Sequence, residues 1–402
     1  MCRTWPVINL FDRPGYISIA PPHPGSLPYL PQYAIEWRLT LLAQAVFDIH
    51  EKNGRAPRRP DQALSRTRAV YLNKIGITTT IPAEIVFAAG ATPVDLNNVF
   101  ITDMKRSEYV EQAEVEGFPR TICGWIKGMY SACLDHKIPK VIAVTGGDCS
   151  NTHVLMEIYR MRGVETIPFN YPYGRGRDSM ESELALLRDS LGASEEASER
   201  WRIHLNRIRR KLDIVDQMTW QDGRVTGFEN HLLLVSSSDF DGNPYSFEAK
   251  IDRFLEEVQQ RREINAPVRL GMIGIPPIME GLHQFMEESG AHCVYNEVAR
   301  QFTMPFGGDT LAEQYLAYTY PYQIGPRIDD ISAQIERRNI DGIVHYVQSF
   351  CHRQMEDLIF RERMDIPILT IEGDAPRAID ARTKIRLESF IRMIAQRKGA
   401  VV

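Results

Sequence analysis

The 402-residue chain lacks the features that would place it in several large classes of protein. Its most apolar stretches, such as 270–279 and 141–144, fall far short of the ~18 residues needed to cross a bilayer. The first residues, MCRTWPVINLFDRPG, hold no uninterrupted apolar run and no small-residue cleavage site, so no secretory signal is expected. The expected location is the cytoplasm, with no membrane as partner. Positive charge is not in excess: 47 Lys+Arg against 52 Asp+Glu give a net charge of −5. That balance argues against nucleic acid as a main partner, which calls for a basic face. The sequence has no CxxC pair, no GxxxxGK[ST], no GxGxxG, no HExxH, no GxSxG and no EF-hand loop. No repeat of fixed short period is present either.

What the chain does have is size, ordinary composition and six scattered cysteines. Hydrophobic residues make up 44% and charged residues 25%, as in a soluble globular protein. A chain this long buries a large core without disulfide staples. Cys2, Cys123, Cys133, Cys149, Cys293 and Cys351 therefore need another explanation than stapling. In a reducing compartment they are buried small hydrophobes, metal ligands or reactive groups.

The first sixty residues differ from the rest. Five prolines between 20 and 31 predict an extended strap, and 37–51 reads as an amphipathic helix. From about Ile75 short apolar runs alternate with helical stretches, as βαβ units require. Pro82 opens a short helix with Gly90 just past its end. Ile122, Trp125, Ile126, Met129, Tyr130 and Cys133 form a 3.6-period stripe, predicting a helix over 121–135. Strands are predicted at 140–145 and 164–169, with a helix at 152–162 between them. Residues 179–217 read as helical and highly charged. Their basic stretch RWRIHLNRIRRKLD suits either an anionic partner or, more ordinarily, a solvated helix between lobes. A second βαβ run follows: strands at 269–275, 292–298, 341–347 and 366–374, with helices at 279–289, 329–338, 352–360 and 383–396.

The expected fold is therefore α/β, with two similar Rossmann-like lobes built on parallel sheets. The expected domains are an N-terminal extension (1–70), a first lobe (71–176), a helical connecting segment (177–262) and a second lobe (263–402).

Position then sorts the cysteines. Cys149 lies four residues past the end of one predicted strand, and Cys351 four past the end of another. Ligands of open α/β sheets bind beyond the carboxyl ends of strands. Both also precede a helix, and Cys123 falls in the first turn of its own, where the macrodipole favours an anionic sulfur. Cys133 and Cys293 sit in an apolar helix stripe and a strand, as core residues do. Three separated thiols suit a soft metal centre or no shared site at all. His153 and His352 follow two of the cysteines, in positions typical of helix-surface residues.

Several segments carry a resemblance: IPAEIVFAAGATPVDL (81–96), ICGWIKG (122–128), DCS (148–150), FCH (350–352), and IPILTIEGD (366–374) with RTKIRLESF (382–390). In this order and spacing, over roughly 75–395, the chain resembles the 2-hydroxyacyl-CoA dehydratase D-component family. That family includes 2-hydroxyglutaryl-CoA dehydratase subunits, benzoyl-CoA reductase subunits and double-cubane cluster proteins. The resemblance implies two α/β lobes with an iron–sulfur cluster between them, a 4Fe-4S cubane or half of a double-cubane cluster. Its ligands fall on Cys123, Cys149 and Cys351. It further implies an ATP-dependent activator that delivers one electron, and a homologous second subunit or a homodimer. The implied reaction is radical elimination of water from a 2-hydroxyacyl-CoA through a ketyl anion. The alternatives are an ATP-dependent reductase of an aromatic acyl-CoA or small molecule and, from another class, a cluster-free two-lobed binding protein. Glu84, within IPAEI, is the candidate for a catalytic carboxylate near an acyl-CoA substrate, against its ordinary reading as a first-turn helix residue.

Overall fold

A computed structural model describes residues 73–400, which lie within one compact unit spanning 66–402. The proline strap, the 37–51 helix and Cys2 fall outside the described residues.

Eight strands form two four-stranded sheets. The first contains β1 (Lys74–Ile77), β2 (Thr92–Asp95), β3 (Lys140–Gly146) and β4 (Glu165–Asn170), in the order β2-β1-β3-β4. The second contains β5 (Val268–Gly274), β6 (Ala291–Asn296), β7 (Gly342–Val347) and β8 (Ile368–Glu372), in the order β6-β5-β7-β8. Every pairing is parallel. The α/β fold with two Rossmann-like lobes is thus present, and both lobes use the same order. Sheets covered on both faces need continuous apolar strands rather than alternating ones. β3 (KVIAVTG) meets that need with five consecutive buried residues, and all six residues of β7 are buried.

In each sheet the strand order reverses at the first and third strands, so a crevice opens beyond their carboxyl ends. The loops after β3 and β7 border those crevices.

In the chain, the helices Arg177–Leu191, Glu195–Trp220, Gly227–Val235 and Pro244–Val258 lie between β4 and β5. Ser194, Thr226 with Glu229 as a capping box, and Asn243 start the last three, each by accepting backbone N–H groups of the first turn. The basic stretch of the 26-residue Glu195–Trp220 helix is mostly internal wiring. Leu205, Ile208, Leu212 and Val215 form its buried stripe, while Arg207 and Lys211 pair with Glu248, and Lys211 also with Asp252.

Three local differences from the sequence reading have clear causes. The helix predicted from 121 starts at Gly124, because Cys123 takes extended backbone angles and acts as its N-cap. The predicted strand over 292–298 stops at Asn296, and Glu297–Phe302 is a helix. Its Glu297 carboxylate turns inward to accept the Gly274 N–H and two Arg327 donors. Within 303–326, read as a connection, Thr310 caps a further short helix, Leu311–Ala317.

Candidate functional site

Cys123, Cys149 and Cys351 come together where the strand-exit loops of the two lobes meet. Each sits at a helix start and uses its groups in the same way. Cys123 caps Gly124–Asp135, Cys149 lies two residues before Asn151–Met161, and Cys351 caps the 3-10 turn His352–Met355. Their carbonyls accept the first-turn N–H groups of Lys127, Thr152 and Gln354 at 3.2, 3.0 and 3.0 Å. Their sulfurs accept N–H groups from Ile126 and Trp125, from Asn151, and from Arg353, respectively. One geometry therefore occurs three times, and it aims backbone dipoles at sulfur.

All three side chains are half-buried, and burial overrides the dipoles. It pushes the Cys123 thiol up to about 12, with repulsion from Cys149 and Cys351 adding to the rise. It pushes Cys149 up to about 11, where Asp148 and Cys351 add and Arg353 opposes. Cys351 is raised too, against the pull of its own helix-start N–H bond and of Arg353. The expected anionic sulfurs are thus corrected: the metal-free thiols are protonated at neutral pH. The mutual repulsion also means that the three sulfurs feel one another. Desolvated thiols give up their protons readily only to a metal that takes the proton's place.

Contacts between the lobes hold the loops in place. Gly124 N–H donates to Gln348 Oε1 at 2.8 Å, and Cys351 N–H to the Gln348 carbonyl at 3.1 Å. A Cβ on Gly124 would lie 2.5 Å from the Asp374 carbonyl oxygen, so only glycine allows this approach. The reciprocal contact is at Gly147 (φ +94), where a Cβ would lie 2.6 Å from the Pro321 carbonyl oxygen. The IEGD segment secures the Cys351 loop from below. Asp374 accepts the Ser349 N–H at 2.7 Å, the single Ser349 hydroxyl proton is shared between Asp374 (2.7 Å) and Glu372 (2.8 Å), and Glu372 accepts from Gln354 at 2.8 Å. At the loop's tip Phe350 is 77% exposed with φ +59, a strained state for a bulky residue.

A buried cation lies beside the sulfurs. Arg353 stacks on the Tyr320 ring at 3.8 Å and donates to the Tyr320 carbonyl and to Glu356, each at 3.1 Å. Arg327, bound to both Glu297 and Glu356, continues this network into the core of the second lobe. Tyr171, Tyr315, Tyr318 and Tyr322 pack with Tyr320 in one buried apolar cluster, a wall of aromatic side chains.

As a donor set, three thiols suit soft metals. A single tetrahedral zinc, with ~2.3 Å bonds, would draw sulfurs to within about 3.8 Å of one another. The three cysteines are not gathered that tightly. Among the described residues, the trio of donors that falls within 4.8 Å is Asp103, Asp135 and His136. That trio is a surface ion-pair knot: the Tyr109 hydroxyl bridges the two carboxylates and Lys105 pairs with Asp135. A polynuclear centre, in which each metal takes one sulfur, fits the wider spacing of the cysteines. Beside two of these cysteines, Gln348 Nε2 is buried with no hydrogen-bond partner.

The other candidates lie elsewhere. Glu84 is fully buried, accepting from Arg209 (2.6 Å), Gln314 (3.0 Å) and Tyr315 (2.9 Å). Burial alone would raise its pKa, but the Arg209 guanidinium overrides this and holds the carboxyl below its usual range. Cys133 and Cys293 are buried in the core, and His153 and His352 are exposed. Gln348 and Arg353 escaped the sequence reading. Their only signal was proximity to Cys351 in an exit loop.

The sequence model of the family described as 2-hydroxyglutaryl-CoA dehydratase, D-component, matches residues 78–394, which include all three cysteines and every strand of both sheets except β1. No curated protein matches the chain significantly.

Proposed function

Because the chain belongs to the 2-hydroxyglutaryl-CoA dehydratase D-component family, we propose that it is the iron–sulfur subunit of a 2-hydroxyacyl-CoA dehydratase. Cys123, Cys149 and Cys351 hold a 4Fe-4S cluster, and an ATP-dependent activator on another chain supplies the electron. A homologous subunit, or a second copy, completes the enzyme. The observation that carries this reading is the convergence of three helix-start thiols from two lobes, spaced too widely for one ion.

The cluster, when bound, supplies one-electron chemistry and an iron not held by cysteine. The chain's own groups prepare that site. Backbone N–H groups at three helix starts orient the sulfurs and offset their charge. The Arg353 guanidinium, fixed on Tyr320, adds a positive field in a region where burial weakens screening. The tyrosine wall keeps water away from a substrate radical. Glu84 ties its helix to Arg209 and the Leu311–Ala317 helix, and we assign it to scaffolding rather than proton transfer.

Anaerobic purification with iron and acid-labile sulfide analysis tests the reading. The full chain is expected to be brown, with iron and sulfide in near-equal amounts. Colourless, iron-free protein overturns it. With activator, ATP and a reductant, conversion of a 2-hydroxyacyl-CoA to the enoyl-CoA is expected. Reduction of an acyl-CoA without loss of water reassigns the chain to a reductase.

A further inference from the structure

Gln348 is fully buried at the first position beyond β7, and its amide is only half used. Oε1 accepts the Gly124 N–H across the lobe boundary, and the Gln348 carbonyl accepts the Cys351 N–H. The residue therefore touches the chain immediately after one site cysteine and at another. Nε2 has no partner. Rotating the amide by half a turn does not help, because it would set NH2 against the Gly124 N–H, donor against donor. A buried amide donor normally has an acceptor. Its bonds to Gly124 and Cys351 hold the amide between two of the site cysteines.

We propose that Gln348 Nε2 donates a hydrogen bond to a sulfur of the cluster held by Cys123, Cys149 and Cys351, and thereby raises the potential at which that cluster is reduced. Reduction adds negative charge to the sulfurs, and a fixed donor stabilises the reduced form more than the oxidised form. The same side chain locks the two lobes in the spacing that the three ligands need. This inference rests on the cluster reading, and iron-free wild-type protein removes that reading, whereas the outcomes below concern Gln348 alone.

The test is a redox titration of the anaerobically reconstituted full chain, followed by electron paramagnetic resonance, with iron and sulfide counted. Gln348→Met removes the donor at constant length. Gln348→Glu keeps an acceptor for the Gly124 N–H while replacing the donor with an oxygen. Both variants are expected to be reduced at lower potential than wild type. A Met variant with full iron and unchanged potential overturns the proposal. So does loss of iron from the Met variant alone, which would leave Gln348 only the task of holding Gly124. A measurement on unmutated protein covers variants that fail to fold. With 15N-glutamine incorporated, the reduced cluster is expected to show 15N hyperfine coupling, and absence of that coupling overturns the hydrogen bond.

Discussion

The two lobes repeat one strand order yet divide the three site cysteines two to one. In the first lobe a cysteine caps the helix that precedes the third strand, and another lies in the loop after it: Cys123 and Cys149 around β3. In the second lobe the loop after β7 carries Cys351, but the equivalent helix cap is Gln323, which is exposed. Of these four helix starts, three carry sulfur. Buried charge is distributed differently as well. In the first lobe Glu84 pairs with Arg209 of the connecting segment. In the second, Glu297, Arg327, Glu356 and Arg353 form a chain that ends beside the sulfurs. The first lobe supplies two of the three site cysteines, and the second supplies the buried charges beside them.

Substitutions can break or sharpen this contrast. The largest effect is expected for Cys149→Ala or Cys351→Ala, one from each lobe, which should lose most bound iron, while Cys293→Ala keeps it. Equal retention in all three would reject the ligand assignment. Next, Glu84→Ala leaves Arg209 buried without its counter-ion, a loss of about 3–5 kcal/mol in denaturant unfolding. It should leave iron content per folded molecule unchanged, whereas Arg327→Met should disturb both stability and the Cys351 loop. If a folded Glu84→Gln protein binds iron normally but loses turnover, the scaffolding assignment gives way to a catalytic one.

The smallest effect concerns pH and separates the first lobe from the rest of the chain. The first lobe's described histidines, His136 and His153, are exposed. His231 and His283, whose rings lie 5.3 Å apart against β6, are held neutral. Burial, with repulsion from His283, brings His231 down to about 3, and His283 is lowered by burial as well. Folded pKa values below the ordinary value give stability that is complete above about pH 6.5 and is lost as pH falls toward 3. The cost for His231 is about 1.4 kcal/mol per pH unit in that window. Urea unfolding between pH 7 and 5 should show this slope, and His231→Leu should flatten it. An unchanged slope in His231→Leu would place the acid sensitivity elsewhere.

Much of this architecture was legible in the chain. β3 and β7 announce themselves as apolar runs, and the stripe from Ile122 to Cys133 marks its helix within three residues of the true start. Cys149 and Cys351 could be placed in strand-exit loops by position alone, because those loops follow directly from the apolar runs of β3 and β7. What stayed hidden depends on long-range partners. Nothing local in VYNEV says that Glu297 turns inward, since its reason is Arg327, 30 residues away. Gln348 belongs to no pattern, because its role comes from Gly124, 224 residues earlier. The state of the thiols was misjudged because helix-start dipoles can be read from sequence and desolvation cannot.

The division of sulfurs between lobes also sets an order of events during synthesis. Cys149 and Cys351 are 202 positions apart (351 minus 149). At about 5–20 residues per second, a ribosome takes roughly 10–40 s to cover that distance. Through that interval the nascent first lobe displays two thiols and lacks the third. If the proposed cluster is bound, a centre acquired in that interval would lack one of its three proposed ligands, so insertion is expected to follow synthesis of the second lobe.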